Sequence, residues 1–467
     1  MCGIAGIVNL ESGIAPDSLV IERMTDSMVH RGPDGRGFFS DHHVAFGHRR
    51  LKIIDLSEAA RQPMWDESKR YCITFNGEIY NYLELREDLL QKGYTFFSDS
   101  DTEVLLKAYI EYGISCIQKF IGMFAFAIYD KQTEKTIIVR DRIGVKPLFY
   151  SVFDGRLLFG SEIKAILQYP GFRYGLNKDA VSSYLSYRYP VGTWTLFDNV
   201  HSLLPGHYME VSNGNWSVHQ YYELPVIKEK EDMGEEFYLK KLRELMTSSV
   251  KYRMIADVPF GAYLSGGLDS SVVVALMSGL TSEPVKTFTI GFADEGYNEF
   301  SFAKQVADRY RSDHHEITLS AENYLDTMRK LIRFKDAPLG VANEPALHVM
   351  SAELKKFITV VLSGEGADEI FGGYGRIFRS PYDLERMKQA GPDQDKILAN
   401  NLALRYGNKI FQNAREHFLY LYQYLKWEDK KQFLSDEFIS ELNEDKACND
   451  YFDAILDRKS TRLKSSH

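Results

Sequence analysis

Residues 263–271, which read Tyr-Leu-Ser-Gly-Gly-Leu-Asp-Ser-Ser, constrain the fold more than any other part of the chain. They lie between two apolar runs, residues 258–264 and 272–277, and this pattern predicts a buried strand, a tight turn and the start of a helix. Paired glycines let a backbone approach an anion closely, and the first amides of a helix are unpaired donors that favour negative charge. The stretch therefore predicts a phosphate-binding turn.

The carboxylate of Asp269 is unusual beside a phosphate, because the two negative charges repel each other unless a cation bridges them. We therefore expect Mg²⁺ on a bound nucleotide at this turn. The turn lacks the Gly-Lys-Ser/Thr ending of a Walker-type loop, so that type of phosphate site is not predicted. An ordinary strand–turn–helix corner with capping residues is the alternative interpretation.

A second turn in the same half of the chain carries further carboxylates. Residues 357–362 predict a buried strand that leads directly into Ser-Gly-Glu-Gly-Ala-Asp at residues 363–368. Ligands of an open parallel α/β sheet bind beyond the carboxyl ends of its strands, so we expect the two turns to meet there. Asp269 and Asp368 would share Mg²⁺ on the pyrophosphate side of ATP, and Glu365 would steer a proton or an amine. A solvated helix cap is the alternative for this second turn.

The N-terminus carries a candidate nucleophile. Cys2 is small enough to allow removal of Met1, which would leave a free α-amine on the cysteine. An amine with a pKa of about 8 would then act as the base for the thiol of the same residue. A buried, unreactive thiol is the alternative, since free cysteines are usually part of a core.

Polar residues that follow predicted strands supply the other needs of an amide hydrolase. The side chain of Asn76 and the amide of Gly77 can form an oxyanion hole. Arg50 can pair with a substrate carboxylate, and acidic residues can hold a substrate amine. Residues 71–75 predict the strand that ends at Asn76, and residues 104–112 predict a helix.

Five segments of the N-terminal half resemble the class II glutamine amidotransferase domain. They follow that family's order and spacing, at residues 2–4 (Cys-Gly-Ile), 30–34 (His-Arg-Gly-Pro-Asp), 48–51 (His-Arg-Arg-Leu), 75–81 (Phe-Asn-Gly-Glu-Ile-Tyr-Asn) and 100–103 (Ser-Asp-Thr-Glu). The resemblance implies a glutaminase domain over residues 2–215, with the four-layer αββα sandwich of the Ntn hydrolases.

The same resemblance implies a role for each residue of the glutamine site. Cys2 would attack the side-chain amide of glutamine, with Asn76 and Gly77 in the oxyanion hole. Arg50 would hold the α-carboxylate of glutamine. Its amino end would be held by Gly77, Glu78 and Asp101, with Asp99 as a substitute for Asp101 because a second Ser-Asp pair precedes the motif.

The stretch at 265–270 resembles the PP-loop of N-type ATP pyrophosphatases. With residues 363–374, and behind a class II glutaminase, it resembles glutamine-hydrolysing asparagine synthetases. The resemblance implies an α/β PP-loop domain over residues 235–457, after a linker at 223–232. It also implies ATP contacts from Leu264, Ser265, Gly266, Gly267, Asp269, Ser270, Ser271, Ile290, Ser363 and Gly364, Mg²⁺ at Asp269 and Asp368, and a catalytic role for Glu365.

That family activates a carboxylate as an acyl adenylate, releases pyrophosphate and delivers ammonia from glutamine through an internal tunnel. The leading hypothesis is β-aspartyl-AMP as the intermediate, which gives asparagine, glutamate, AMP and pyrophosphate. Residues 335–345 do not resemble the Thr- and Arg-bearing segment that typical members use near aspartate, so another carboxylate, such as a uronic acid sugar of a surface polysaccharide, is the alternative acceptor.

The family also places further motifs beyond residue 467, so we expect a C-terminally truncated synthetase domain. A glutaminase or regulatory protein with an inactive synthetase domain is therefore the third hypothesis. The final residues 457–467 are basic and polar and are typical of a disordered tail or a truncation scar.

Composition indicates which partners and which cellular compartment to expect. A net charge of −9 argues against a nucleic-acid partner. Cysteines without metal-ligand or disulfide spacing favour a reducing compartment, and neither a signal peptide nor a membrane-spanning apolar run is present. We expect a cytoplasmic enzyme whose partners are small molecules: glutamine, ATP, and aspartate or another carboxylate. A homodimer is the working expectation for its assembly.

Overall fold

The structure is a computed structural model, which describes residues 1–11, 15–225, 231–292, 298–389, 396–407 and 409–464. Residues 226–230 of the predicted linker and residues 465–467 of the predicted tail lie outside the described residues. Two compact units are present. One comprises Met1–Leu176, Gly192–Gly267 and Ser271–Leu362, and the other comprises Asn177–Val191, Leu268–Ser270 and Ser363–His467.

The N-terminal half alternates antiparallel strands with short helices. In chain order it contains β1 (Gly3–Asn9), α1 (Ser18–Asp26), β2 (Gly35–Ser40), β3 (Val44–Arg50), a 3₁₀ turn (Glu58–Ala60), β4 (Met64–Trp65), β5 (Tyr71–Ile79), α2 (Tyr82–Gln91), α3 (Asp101–Tyr112), a 3₁₀ turn (Gly113–Gln118), β6 (Gly122–Asp130), β7 (Lys135–Arg140), β8 (Phe149–Phe153), β9 (Arg156–Gly160), α4 (Ile163–Ile166), α5 (Lys178–Tyr187), β10 (His201–Ser202), β11 (His207–Ser212) and β12 (Asn215–Gln220).

These strands form two sheets that pack face to face. Their strand orders are β10-β8-β9-β1-β3-β2 and β12-β11-β7-β6-β5-β4. Phe46 of the first sheet and Tyr129 of the second belong to one buried cluster between the sheets. Helices α1 and α4 cover the outer face of the first sheet through residues such as Ile21, and α2 and α3 cover the second through residues such as Leu105. This arrangement confirms the predicted αββα sandwich.

The C-terminal half begins as an alternation of helices and parallel strands and ends in helices. It contains α6 (Glu235–Arg253), β13 (Phe260–Tyr263), α7 (Leu268–Leu280), β14 (Lys286–Phe292), α8 (Phe300–Tyr310), β15 (Asp313–Leu319), α9 (Ala321–Lys335), α10 (Glu344–Leu354), β16 (Val360–Leu362), α11 (Ala367–Phe371), α12 (Gly375–Lys388), α13 (Lys396–Tyr406), α14 (Ala414–Tyr422), α15 (Trp427–Lys430), α16 (Asp436–Leu442), a 3₁₀ turn (Asn443–Asp445) and α17 (Lys446–Lys464).

The strands β15-β14-β13-β16 form a parallel sheet in that order. Successive residues of a strand point to opposite faces, and here both faces are buried. Ala262 and Leu362 pack into a cluster with α6, α7 and α8, whereas Tyr263 and Val361 pack into a cluster with α10. The predicted α/β architecture is therefore confirmed, with helices on both faces of the sheet.

Two element boundaries differ from the predictions. The strand β5 was expected to end at residue 75, but it continues to Ile79 because Asn76 and Gly77 pair with Ala125 and Phe124 of β6. Helix α3 was expected to begin at residue 104. It begins three residues earlier because the Ser100 side chain accepts a hydrogen bond from the amide of Thr102 and caps the first turn.

The second unit contains the helices after residue 363 together with α5. The hydroxyl of Ser182 in α5 donates a hydrogen bond to Asp445 and accepts one from the ammonium group of Lys430 at 2.7 Å. All three side chains are buried, so the pairing compensates for their removal from water. No helix among the described residues is long and apolar enough to cross a lipid bilayer.

Candidate functional site

Cys2 lies immediately before β1, and both the amide and the carbonyl of Leu51 contact its sulfur atom. The Leu51 amide donates a hydrogen bond to Sγ (3.4 Å), and the thiol donates to the Leu51 carbonyl (3.7 Å). Burial raises the pKa of the Cys2 thiol, although the hydrogen bond with Leu51 acts in the opposite direction. The nucleophile therefore needs a base. The α-amine of Met1 lies in the same surroundings, and burial lowers its pKa to about 6.

A cavity of about 360 Å³ has Cys2 in its wall. This volume lies within the range of about 300–1,000 Å³ that is usual for small-molecule sites. The predicted glutamine-site residues Arg50, Asn76, Gly77, Glu78 and Asp101 line the same cavity. The structure thus brings together residues that are up to 99 positions apart in the sequence.

The side chain of Asn76 is fully buried in this wall. Neither its amide nitrogen nor its amide oxygen makes a hydrogen bond with any described residue. Buried polar groups are nearly always paired, so this amide is available to a ligand. Its neighbour Gly77 must be glycine, since a Cβ atom there would lie 2.3 Å from the Met123 carbonyl oxygen and 2.6 Å from the ring of Phe75.

The charged residues of the cavity are held by neighbouring main-chain groups. Arg50 donates hydrogen bonds to the carbonyls of Ser57 (2.7 Å) and Asp55. The amide of Ile79 donates to the carboxylate of Asp101 (3.0 Å), but burial dominates and raises the pKa of Asp101 to about 7. Burial also raises the pKa of Glu78.

Asp99, the predicted substitute for Asp101, lies elsewhere. Its side chain is 87% exposed and pairs with Arg86 at 3.2 Å. Asp101 lies in the cavity wall, whereas Asp99 is absent from it.

Lys146 is a cavity residue that sequence reasoning missed. It lies between β7 and β8, is only 4% exposed and lines the cavity beside Cys2 and Glu78. Burial lowers the pKa of its ammonium group, and the negative charge of Glu78 acts in the opposite direction. In the sequence, Lys146 is a single lysine that follows Gly144 and Val145 and precedes Pro147. This pattern is as typical of a solvated turn as of a buried site.

The cavity also extends to the parallel sheet of the C-terminal half. Thr359, Val360 and Val361, at the start of β16, form part of its wall. Leu51, Ile53 and Ile54 contribute apolar surface nearby. The thiol of Cys2 and one strand of the parallel sheet therefore line a common space.

The predicted PP-loop follows β13, and its first part is braced by β14. Leu264 is buried, and its amide donates a hydrogen bond to the carbonyl of Phe288 (2.9 Å). Gly266 has φ +83°, and a Cβ atom there would lie 2.5 Å from the main chain of Phe302. Glycine is therefore required on both conformational and steric grounds.

Hydroxyl groups fold this turn onto itself. The amide of Gly267 donates to the hydroxyl of Ser265 (3.2 Å), and the hydroxyl of Ser271 donates to the carbonyl of Gly267 (2.6 Å). Ile290, a predicted ATP contact, is partly buried in β14 and packs beside Phe288.

In the second unit, the two predicted turns meet. A Cβ atom on Gly364 would lie 2.8 Å from the amide nitrogen of Ser270 and 2.9 Å from Cβ of Asp269. Ser363 belongs to the same turn, and its hydroxyl accepts a hydrogen bond from the amide of Glu365, whose side chain is exposed. A strand–turn–helix corner alone does not require this close approach of two separate loops.

Asp269 and Asp368 are both partly buried carboxylates of this unit. Within the described residues, no group of three or more His, Cys, Asp or Glu side chains is arranged to hold a metal ion. Mg²⁺ on a nucleotide usually takes one or two protein carboxylates and completes its shell with phosphate oxygens and water. Asp269, which lies against Gly364, and Asp368 of the same unit supply carboxylates of the kind that such a site uses.

Two family models match the chain. The glutamine amidotransferase domain matches residues 1–222, and the asparagine synthase domain matches residues 241–464.

Several curated proteins are similar to the chain over most of its length. The asparagine synthetase (glutamine-hydrolyzing) 1 of Bacillus subtilis is 37% identical over 86% of this chain and 63% of its own length. The asparagine synthetase (glutamine-hydrolyzing) 3 of the same species is 34% identical over 89% of this chain and 70% of its own length. The amidase chry2 of Gibberella zeae is 34% identical over 76% of this chain and 55% of its own length. The chain thus spans less than two thirds of the first of these relatives.

Proposed function

The chain belongs to the glutamine-hydrolysing asparagine synthetase family, and we propose that it is an ATP-dependent amidotransferase that moves ammonia from glutamine to an activated carboxylate. The observation that carries this proposal is the common cavity. Cys2 and the unpaired amide of Asn76 lie in its wall together with Val360 of the parallel sheet. A glutaminase that only released ammonia to solvent would not need that connection. The proposed domains are residues 2–215 for the glutaminase and 235–457 for the synthetase.

In the proposed glutaminase step, removal of Met1 gives Cys2 its own α-amine. This amine takes the thiol proton, and the sulfur attacks the side-chain carbonyl carbon of glutamine. The side-chain amide of Asn76 and the main-chain amide of Gly77 stabilise the oxyanion. The α-ammonium group of Cys2 then gives its proton to the leaving nitrogen, so that the intermediate expels ammonia and leaves a thioester, which water hydrolyses to glutamate.

Charge pairing would orient the glutamine. Arg50 pairs with its α-carboxylate, and Glu78, Asp101 and the main chain of Gly77 hold its α-ammonium group. The raised pKa of Asp101 would fall again once that ammonium group is bound, because an adjacent positive charge favours the ionised carboxylate.

In the proposed synthetase step, residues at the N-terminus of α7 would hold the phosphates of ATP. The binding residues are those predicted from the sequence: Leu264, Ser265, Gly266, Gly267, Asp269, Ser270, Ser271, Ile290, Ser363 and Gly364. Asp269 and Asp368 would hold Mg²⁺, and the ion would supply positive charge for the departing pyrophosphate. Glu365 would accept a proton as ammonia attacks the acyl adenylate. Ammonia that travels inside the protein stays unprotonated and near its acceptor.

Aspartate is the proposed default acceptor, so that β-aspartyl-AMP is the intermediate and asparagine the product. A second candidate is another carboxylate, such as a uronic acid sugar. It is favoured by the unusual acceptor segment 335–345, and the similarity to a protein named as an amidase is compatible with it.

Pyrophosphate release from ATP in the presence of glutamine tests these proposals, with aspartate compared against a panel of uronic acids. Release with aspartate would support asparagine synthesis, and release only with a sugar acid would support the second candidate. Glutamine hydrolysis without pyrophosphate release for any acceptor would refute both and favour a glutaminase with an inactive synthetase domain.

A further inference from the structure

The carboxylate of Glu162, just after β9, contacts the side chains of His30, Arg31 and Lys164. One oxygen contacts Nε2 of His30 (2.9 Å) and accepts a hydrogen bond from Nη1 of Arg31 (3.1 Å), and the other accepts one from Nζ of Lys164 (2.6 Å). The side chain is only 12% exposed. Burial raises the pKa of Glu162, but the hydrogen bonds from His30 and Lys164 outweigh this effect and lower it to about 2. The carboxylate is therefore a permanent negative charge at neutral pH.

On one side, Arg31 connects the carboxylate of Glu162 to the main chain of Cys2. Nε of Arg31 donates a hydrogen bond to the carbonyl oxygen of Cys2 at 2.8 Å. Arg31 is itself nearly buried, so its guanidinium has little freedom to relax independently. A shift of Glu162 would therefore be passed to the main chain of Cys2.

On the other side, Glu162 is connected through Lys164 to the C-terminal end of α9. Nζ of Lys164 donates to the carbonyl of Phe334 (2.7 Å) and pairs with Asp336 (3.2 Å), and the Lys164 amide donates to the same carboxylate of Asp336 (2.9 Å). The ring of Phe334 lies 4.8 Å from the ring of His30. Glu162 thus joins Cys2 to the residues that begin the acceptor segment.

The two ends of the acceptor segment are tied together by Glu344. The carboxylate of Glu344 accepts hydrogen bonds from the amides of Gly340 (2.9 Å) and Val341 (3.2 Å) and pairs with Lys335 at 2.6 Å. Lys335 is the neighbour of Asp336, which pairs with Lys164, so these contacts connect the far end of the segment to Lys164.

We propose that Glu162 is a positioning residue that couples the state of the acceptor segment to the nucleophile Cys2. It acts through Arg31 on one side and Lys164 on the other, and the identity of the segment as the acceptor site rests on the proposed function. Occupation of the segment shifts Lys164, and the ion pairs pass this shift to the Cys2 main chain. The chemical benefit is that glutamine is hydrolysed when an acceptor is present to receive its ammonia.

Substitution Glu162→Gln keeps the shape and removes the charge. In the wild type, ATP plus acceptor should stimulate glutamine hydrolysis. In the variant this stimulation should be at least about fivefold smaller, because typical couplings between two sites change an affinity by about fivefold or more. Pyrophosphate release with ammonia should stay within about twofold of wild type. Glu210→Gln, which removes the half-exposed pair with Lys135 (2.8 Å), is the matched control and should behave as wild type. Full stimulation in Glu162→Gln, or a parallel loss of ammonia-dependent release, would overturn the proposal.

Hydrogen exchange provides a readout that does not need a working synthetase. A diazoketone analogue of glutamine attached to Cys2 should change the exchange of residues 334–344 in the wild type, but not in Glu162→Gln or in Lys164→Met. Absence of this change in the wild type would overturn the coupling even if pyrophosphate is released. The change without any pyrophosphate release would refute the proposed function and still support the coupling.

Discussion

The amide of Leu51 donates a hydrogen bond to the sulfur of Cys2 at 3.4 Å. Leu51 directly follows β3, the strand that pairs with β1, so the antiparallel register of these strands places a main-chain donor against the candidate nucleophile. The contact orients the sulfur, and it opposes the rise in thiol pKa that burial causes.

Replacement of Cys2 by alanine should separate the two half-reactions. Glutamine-dependent pyrophosphate release and glutamine hydrolysis should fall by at least about 1,000-fold, because removal of a nucleophile eliminates the covalent route. Release with ammonia should stay within about twofold of wild type. Activity is measured with each nitrogen donor in turn, and loss of both activities would contradict a model with two separate sites.

The buried carboxyl of Asp101 should make glutamine binding depend on pH. Its pKa is raised to about 7, so below that pH it is neutral and cannot pair with the α-ammonium group. The KM for glutamine should therefore rise several-fold between pH 8 and pH 6. Asp101→Asn should have a high KM at both pH values, whereas Asp99→Asn, which alters an exposed side chain, should follow the wild type.

The carboxyl of Asp101 should also make the free energy of unfolding decrease as pH rises. The native state keeps its proton up to about pH 7, whereas the unfolded chain loses it near pH 3.9. The native state therefore binds more protons between these values, and this contribution to the free energy of unfolding falls as pH rises. The thermal midpoint of Asp101→Asn should fall less between pH 5 and pH 8 than that of the wild type, and an equal fall would contradict the assignment.

Prediction from sequence succeeded where the secondary structure follows a local pattern. The alternation of apolar runs and Ser-Gly turns located the loops at Gly266 and Gly364, since parallel strands place such loops at one edge. It failed for the end of β5, because β6, which lies outside that segment, supplies the pairing partners of Asn76 and Gly77. Lys146 and Glu162 were not predicted, since a single charged residue carries no periodic signal that separates a buried position from a solvated one.

Gly77→Ala should damage both folding and glutamine hydrolysis. The added methyl group would meet the Met123 carbonyl and the Phe75 ring, neither of which can move without disturbing the paired strands β5 and β6. We expect a destabilisation of about 1–3 kcal/mol, the usual range for overpacking. Gly279→Ala is the control, because that helical position in α7 is open and alanine favours helices. Thermal unfolding of both variants checks this, and an unchanged midpoint for Gly77→Ala would contradict the observed packing.

Asp269→Asn should affect only the ATP-dependent reaction. The loss of one carboxylate charge weakens the attraction for Mg²⁺, so the Mg²⁺ concentration for half-maximal pyrophosphate release should rise and the rate should fall by at least about 100-fold. Glutamine hydrolysis should persist. Asp313→Asn, which removes a carboxylate paired with Lys286 on a different strand, is the control. Loss of glutaminase activity alone would refute the assignment of Asp269 to the ATP site.

The positive charge of Lys146 should lower the pKa of the Cys2 thiol, and its removal should be measurable without any substrate. Lys146 and Cys2 line one cavity, and the lysine favours the thiolate electrostatically. In Lys146→Met, the pH midpoint for alkylation of Cys2 by iodoacetamide should rise by about 0.5 to 1 unit, and glutamine hydrolysis at neutral pH should fall. Lys146→Arg should restore most of both, since it keeps the charge, and Lys135→Met should change neither. If the methionine variant had the wild-type alkylation profile, Lys146 would serve only to fill the cavity wall.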